Sequence, residues 1–233
     1  MKSAVRSSFR DIKAEMLRRI AVRVWPPGAL IPGEEALALE FGAARATVNR
    51  AVQELARSGI VERKRKAGTR VALHPVREAR LAIPIVRREV EAKGAAYGYR
   101  LISRGGDFAP REVTERLALP RGKRMLHVVC LHLADAAPYQ FENRWINADT
   151  VPPVRNESFE KVGPNEWLVE NAPFSRAQFS FFAARAAADE AAALGLAEGE
   201  AVLVAERMTW LLDQPITLVR MAHPPGHRVV MEV

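Results

Sequence analysis

The stretch AARATVNRAVQ (43–53) places Arg45, Thr47, Asn49, Arg50 and Gln53 between apolar Ala44, Val48, Ala51 and Val52. Arginine and asparagine carry donor and acceptor sets that match guanine and adenine edges in a DNA major groove. Threonine can bond a phosphate or touch a thymine methyl. A second cluster, Arg63, Lys64, Arg65 and Lys66, suits phosphate contact or insertion into a minor groove. Catalytic chemistry has no comparable grouping. The histidines are His74, His127, His132, His223 and His227, and the i, i+4 pair His223/His227 is separated by Pro224-Pro225-Gly226, which forbids a helix between them. There is no His-Glu-x-x-His, no paired cysteine ligands, no Gly-x-Ser-x-Gly and no phosphate loop. Glu142, Glu166 and Glu206 are scattered acids. No catalytic residue, metal or cofactor is expected, although an enzyme remains one of the open classes.

The elements that carry the polar residues can be read from periodicity. Phe9, Ile12, Met16, Ile20 and Val24 make one apolar stripe, so a first helix is expected over about Ser8–Val24, ended by Trp25-Pro26-Pro27-Gly28. A second follows Pro32, with Glu34 and Glu35 in its first turn and Gly42 past its end. A third runs from about Ala44 to Ser58. Val48, Val52 and Leu55 hold it to the other two, which turns Asn49, Arg50, Gln53 and Arg57 outward. After Gly59 the period changes, and IVERKRKAGTRVAL reads as a short basic hairpin. Three helices and a basic hairpin are the order of a winged helix-turn-helix.

Charge supports that reading. Of 35 Lys and Arg and 27 Asp and Glu, residues 1–73 carry 15 and 7, and the rest of the 233-residue chain carries 20 of each. The whole excess of +8 therefore lies in the head, which points to a polyanionic partner for it. Apolar content of 48% with 27% charged residues is globular. No run approaches the ~18 apolar residues of a membrane span, and the basic N-terminal stretch lacks the apolar core of a secretory signal. The single cysteine, Cys130, fits a reducing compartment and reads as core packing in HVVCLHL. A cytoplasmic protein with no membrane partner is expected.

The run PGALIPGEEALALEFGAARATVNRAVQELARSGIVERKRKAGTRV (27–71) resembles the DNA-binding domain of the GntR superfamily of bacterial transcription regulators. The likeness lies in a Pro-Gly, an Ile-Pro-x-Glu before the second helix, an Ala-Arg-x-Thr-Val opening the third, and a Gly-Thr-x-Val wing. It implies DNA contacts from Arg45, Thr47, Asn49 and Arg50, with Gly68 and Thr69 in the wing. With Gln53 and wing residues Lys64, Arg65 and Lys66, these are the expected DNA-binding set. Two departures stand out. Glu35 occupies a position where relatives carry a basic or polar residue able to reach DNA, and a wing glycine is replaced around Lys66.

Beyond a polar connection at 74–80, the body (81–233) alternates period. Helices are expected over IPIVRREVEAKG (83–94), REVTERLAL (111–119), 165–170 and ADEAAALGL (188–196). Strands are expected at 98–103, MLHVVCLHL with PYQFENRWI as one hairpin, FSRAQFSFFAA, and AVLVAERMTWLL with ITLVRMAH as a second hairpin. Trp145 and Trp210 read as core. This is an α+β body with a mainly antiparallel sheet.

ADAAPYQFENRWIN (134–147), GPNEWLVENAPFS (163–175), ERMTWLLDQPITLVRMAH (206–223) and PPGHR (224–228) are similar to the UTRA ligand-sensing domain, of chorismate-lyase-like fold, which marks the HutC subfamily. Within it, they resemble the histidine-utilisation regulators, whose effector is urocanate. Phosphosugar sensors carry Arg-x-Arg before the first hairpin turn. Here Cys130 and His132 stand there and cannot clamp a dianion. A small carboxylate bearing an apolar or imidazole ring fits better. Arg144 or Arg220 could bind the carboxylate, Glu142 could accept from a ring N–H, and His132 and His223 could bond either end. His132, Glu142 and Arg144 share strand parity. The resemblance puts Glu142 on a ligand-contacting position and adds Ser175.

The expectation is a homodimeric, ligand-responsive repressor that binds double-stranded operator DNA and is released by urocanate or a similar small acid. Three readings stay open beside it: a regulator sensing a different acid, a non-specific architectural DNA-binding protein, and an enzyme of chorismate-lyase-like fold.

Overall fold

A computed structural model describes residues 8–64, 67–72 and 83–230. The expected connection 74–80 lies outside them. The chain divides into two compact units, Met1–Glu78 with Pro173–Ser175, and Ala79–Ala172 with Arg176–Val233.

In the first unit, α1 (Phe9–Ala21) begins at Ser8, whose hydroxyl accepts from the Asp11 amide while Asp11 accepts from the Ser8 amide, a reciprocal capping box. Ile12, Met16 and Ile20 are fully buried. The helix stops short of the expected Val24, which is 59% exposed. The reason is local: Arg23 takes a left-handed φ of 61°, turning the chain so that Trp25 rather than Val24 packs inward. Next come β1 (Leu30–Ile31), α2 (Glu34–Glu40) and α3 (Arg45–Arg57), then the wing strands β2 (Val61–Lys64) and β3 (Gly68–Val71). Val48, Ala51, Val52 and Leu55 form the buried stripe of α3, and Gly59 at φ 68° lets the chain leave it. The two-residue β1 was not expected. It pairs antiparallel with β3, giving the order β1-β3-β2 and fixing the wing to the segment before α2.

The second unit is built on one six-stranded antiparallel sheet, ordered β4-β5-β6-β9-β8-β7. Its strands are β4 (Tyr97–Phe108), β5 (Arg124–Ala134), β6 (Ala137–Ile146), β7 (Arg176–Arg185), β8 (Ala201–Leu211) and β9 (Gln214–His223). The helices are α4 (Val86–Ala92), α5 (Arg111–Arg116), α6 (Pro164–Asn171) and α7 (Ala188–Leu194), with a 3-10 turn at Pro152–Asn156. The hairpins β5–β6 and β8–β9 are those expected, joined through β6 and β9. Side chains alternate between two faces. On one, Val129, Leu131, Phe141, Val202, Val204 and Ala222 pack against Ala191 and Leu194 of α7. Met125, Trp145, Met208, Trp210 and Leu218 on the same face meet Val113 and Leu117 of α5. Both tryptophans are therefore core. The opposite face carries the polar residues considered next. The chain is α+β, a winged helix-turn-helix unit followed by a mainly antiparallel sheet domain.

Candidate functional sites

In the head, a cleft of about 660 Å³ opens beside the wing, lined by Glu34, Arg45, Arg63, Lys64, Gly68 and Thr69 among others. Arg45 is exposed at the start of α3, and its Nε is 3.8 Å from the Glu34 carboxylate. Glu34 also accepts from Asn49 Nδ2 and from Arg63 Nη2, each at 2.7 Å. Thr47 is half-buried in the first turn, Lys64 is exposed at the end of β2, and Thr69 pairs with Arg63 and Ile31. Gly68 sits at a left-handed φ of 80°, which favours glycine, and an added Cβ would lie 3.0 Å from the movable Leu30 Cδ1.

Arg50 is placed differently from its expected neighbours. Its guanidinium lies 4.1 Å from the Phe9 ring centroid, a cation–π contact with α1. Gln53 is exposed and donates to Asn49 Oδ1 at 2.7 Å. Arg65 and Lys66 lie outside the described residues. Glu35, the acid singled out in the sequence, is exposed, and it is Glu34 that faces the third helix and the wing. Glu34 and Arg63 were therefore missed as organising residues. Of the two acids in the first turn of α2, which one faces α3 and the wing depends on how the helices pack, and no local pattern encodes it.

In the body, β6 projects Gln140, Glu142 and Arg144 from one face, because they alternate along the strand. His132 faces Gln140 across β5–β6, and Cys130 faces Glu142. Arg144 and Arg207 flank Val219 in one row across β6, β9 and β8, which brings Arg207 to the same face. The group is buried: Glu142 is 0% exposed, Arg144 1%, His132 2%, Arg207 3% and His223 4%. Arg144 Nε donates to Glu142 Oε1 at 2.6 Å, and His132 Nε2 lies 3.2 Å from Glu142 Oε2. Tyr97 Oη is 2.9 Å from His132 Nδ1. An ionised Glu142 only accepts, so the imidazole carries hydrogen on Nε2. His223 Nε2 lies 3.1 Å from Gln140 Oε1, and its ring stacks on His227 at 4.0 Å. Arg207 donates through Nη2 to Asn165 at the start of α6, whose own amide nitrogen donates to the Pro84 carbonyl at 2.7 Å.

Three donors in this group have no partner: Gln140 Nε2, Arg144 Nη2 and Arg207 Nε. Each unmet buried donor costs about 1–3 kcal/mol, so three on one sheet face call for an acceptor from outside the chain. The charges agree. Burial would raise the Glu142 carboxyl, but Arg144 and the His132 hydrogen bond outweigh it and hold it at about 2. Burial lowers Arg207 to about 9, helped by the Arg144 charge, which still leaves it cationic at neutral pH. Burial and His227 lower His223 to about 4, so it is neutral. Burial also raises the Cys130 thiol. Arg144, Arg207 and Glu142 together leave one buried positive charge in surplus, which suits a ligand with one negative charge.

One residue expected at this site is elsewhere. Arg220 pairs opposite Asn143 and Glu206, which puts it on the other face of the sheet, against α7. There its Nε donates to buried Glu190 at 2.7 Å, with Glu206 at 4.0 Å. Arg207, not Arg220, shares the face of Arg144. Ser175 lies in the 173–175 segment that groups with the first unit. Cys130, His132 and Glu142 place possible metal-ligand atoms within 4.8 Å of one another. The second oxygen of Glu142 is held by Arg144, however, and a divalent cation would add to a positive surplus, so the charges favour hydrogen bonding over metal ligation. Gln140, Tyr97 and Arg207 were missed by the sequence reading.

No helix among the described residues is long and apolar enough to cross a membrane. Residues 9–71 match the family described as bacterial regulatory proteins, gntR family, and residues 92–227 match the UTRA domain. The histidine utilization repressor of Pseudomonas putida is 30% identical over 222 residues, covering 95% of this chain and 90% of that protein. The C-terminal domain of the histidine utilization repressor from Pseudomonas syringae pv. tomato str. DC3000 aligns at 28% identity with a TM-score of 0.55, covering 59% of this chain and 99% of that one. PhnF from Mycobacterium smegmatis shares the fold over 95% of this chain and 99% of its own, at 23% identity and a TM-score of 0.56. The chain belongs to the gntR family of bacterial regulatory proteins, as a UTRA-domain member that regulates transcription and is not an enzyme.

Proposed function

We propose that this regulator is a repressor whose head binds a near-palindromic operator as a homodimer and whose body senses a small monocarboxylate, with urocanate as the first candidate. The surplus positive charge with three unmet donors on one buried sheet face is the observation that carries the ligand reading. A carboxylate near Arg144 Nη2 and Arg207 Nε would satisfy two of those donors and neutralise the surplus. Gln140, His132 and Glu142 then offer one amide donor, a histidine and an anchored carboxylate for a heteroaromatic ring. Sequence similarity points the same way, since the histidine utilization repressor of Pseudomonas putida matches nearly the full chain. Operator symmetry follows from two identical heads, each presenting one α3 to a half-site.

Calorimetry on the full chain tests the ligand class. Urocanate should bind with a single site per chain, and an amino-sugar phosphate should not compete. Tight binding of the phosphorylated sugar with no heat from urocanate would remove the monocarboxylate reading.

A further inference from the structure

The polar face of α3 is ordered by one acid, and the order has a direction. Glu34 is held against Arg63 at 2.7 Å, so its carboxylate acts as an acceptor. Asn49 must therefore turn its Nδ2 toward Glu34, and the 2.7 Å contact is made that way. The Asn49 amide is planar, so its Oδ1 points to the other side, where it accepts from Gln53 Nε2 at 2.7 Å, one helical turn on. The orientation of the Gln53 amide is thereby fixed as well. One of its N–H groups is committed to Asn49, and its Oε1 and second N–H remain on an exposed side chain.

We infer that Gln53 is the adenine-reading side chain of the head, and that Glu34 acts as a positioning residue by setting the polarity of both amides. Adenine presents N7 as an acceptor and N6–H₂ as a donor in the major groove, matching the free N–H and Oε1 of Gln53. Guanine presents two acceptors and would set O6 against Oε1. Asn49, which has the same chemistry, has an N–H and its oxygen engaged within the protein and is a relay. The inference rests on the reading that this head recognises operator sequence.

The test compares wild type, Gln53→Ala and Glu34→Gln by selection from random DNA, followed by competition binding over a range of salt. Wild type should show one position per half-site with a strong A·T preference. Gln53→Ala should reduce discrimination there by about 10-fold or more and leave the other positions intact. Glu34→Gln, whose amide no longer dictates the polarity of Asn49, should weaken the same position. Neither variant should lose salt dependence of the kind that a phosphate contact gives. If Glu34→Gln fails to fold, Asn49→Leu cuts the same relay and should act at the same position. An unchanged pattern in Gln53→Ala, or a wild-type preference at the Gln53 position when Glu34 is altered, overturns the inference. Wild-type binding with no preference among sequences would instead remove the underlying DNA-reading function.

Discussion

Replacing Arg207 by methionine separates what this residue costs the fold from what it does for a ligand. Its drop from 12.5 to about 9 corresponds to roughly 5 kcal/mol by which the folded environment disfavours the cation. Methionine removes that cost but leaves Asn165 without its donor, a loss of about 1–3 kcal/mol. Repacking consumes part of the remainder, so the ligand-free variant should be more stable by about 1–3 kcal/mol, or roughly 2–10 °C in a thermal scan of the full chain. A base with a lowered folded pKa binds fewer protons folded than unfolded between the two values. Wild-type stability contributed by Arg207 therefore rises as pH passes about 9, and its deficit relative to Arg207→Met should shrink from pH 8 to pH 10. Urocanate affinity should fall by about 2–5 kcal/mol, at least 30-fold, as expected on removing one partner of a buried charge pair. Calorimetry and thermal scans on the same preparations read both effects. A variant with unchanged urocanate affinity and no gain in ligand-free stability would refute the reasoning.

Arg220→Met should do the reverse, lowering stability by about 1–3 kcal/mol because buried Glu190 loses its partner, with urocanate affinity within two-fold of wild type by calorimetry. Acid titration of stability should show two windows. His223, depressed to about 4, withdraws stability as pH falls from about 6.5 toward 4, and Glu142, held at about 2, withdraws more as pH falls from 4.5 toward 2. His223→Gln should flatten only the first window in denaturant titrations at stepped pH. Gly68→Ala should strain the wing by about 1–2 kcal/mol, through its left-handed φ and the Leu30 contact, and weaken operator binding without altering base preference in a competition assay.

Local chemistry made much of this legible. The stripes of α1 and α3, the glycine stops and the period change after Gly59 located the head, and the two hairpins were readable from alternation and short turns. What was missed depends on long-range register. The face shown by Arg220 is set by β6 pairing with β9, strands more than 60 residues apart, and no local pattern encodes that pairing. Bulges add to the difficulty. One between His132 and Leu133 shifts the β5–β6 register and allows His132, Gln140 and Glu142 to share a face. Another between Thr209 and Trp210 changes which residue of β8 lies opposite Arg220. Arg207 was hidden for the same reason: within ERMTWLL nothing distinguishes a buried arginine from an exposed one. In the head, the polar positions of α3 were readable, but the turn of Arg50 onto Phe9 and the grip of Glu34 on Asn49 depend on how α1 and α2 pack.

The most direct test is reciprocal linkage between ligand and DNA. Operator affinity of the full chain would be measured by fluorescence anisotropy with and without saturating urocanate, at fixed salt, on an operator recovered by selection. Urocanate affinity would be measured with and without that operator. The expected result is weaker operator binding in urocanate and, by thermodynamic necessity, urocanate binding weakened by the same factor on DNA, with both effects lost in Arg207→Met. Equal operator affinity at saturating urocanate would contradict ligand control through the buried arginine pair.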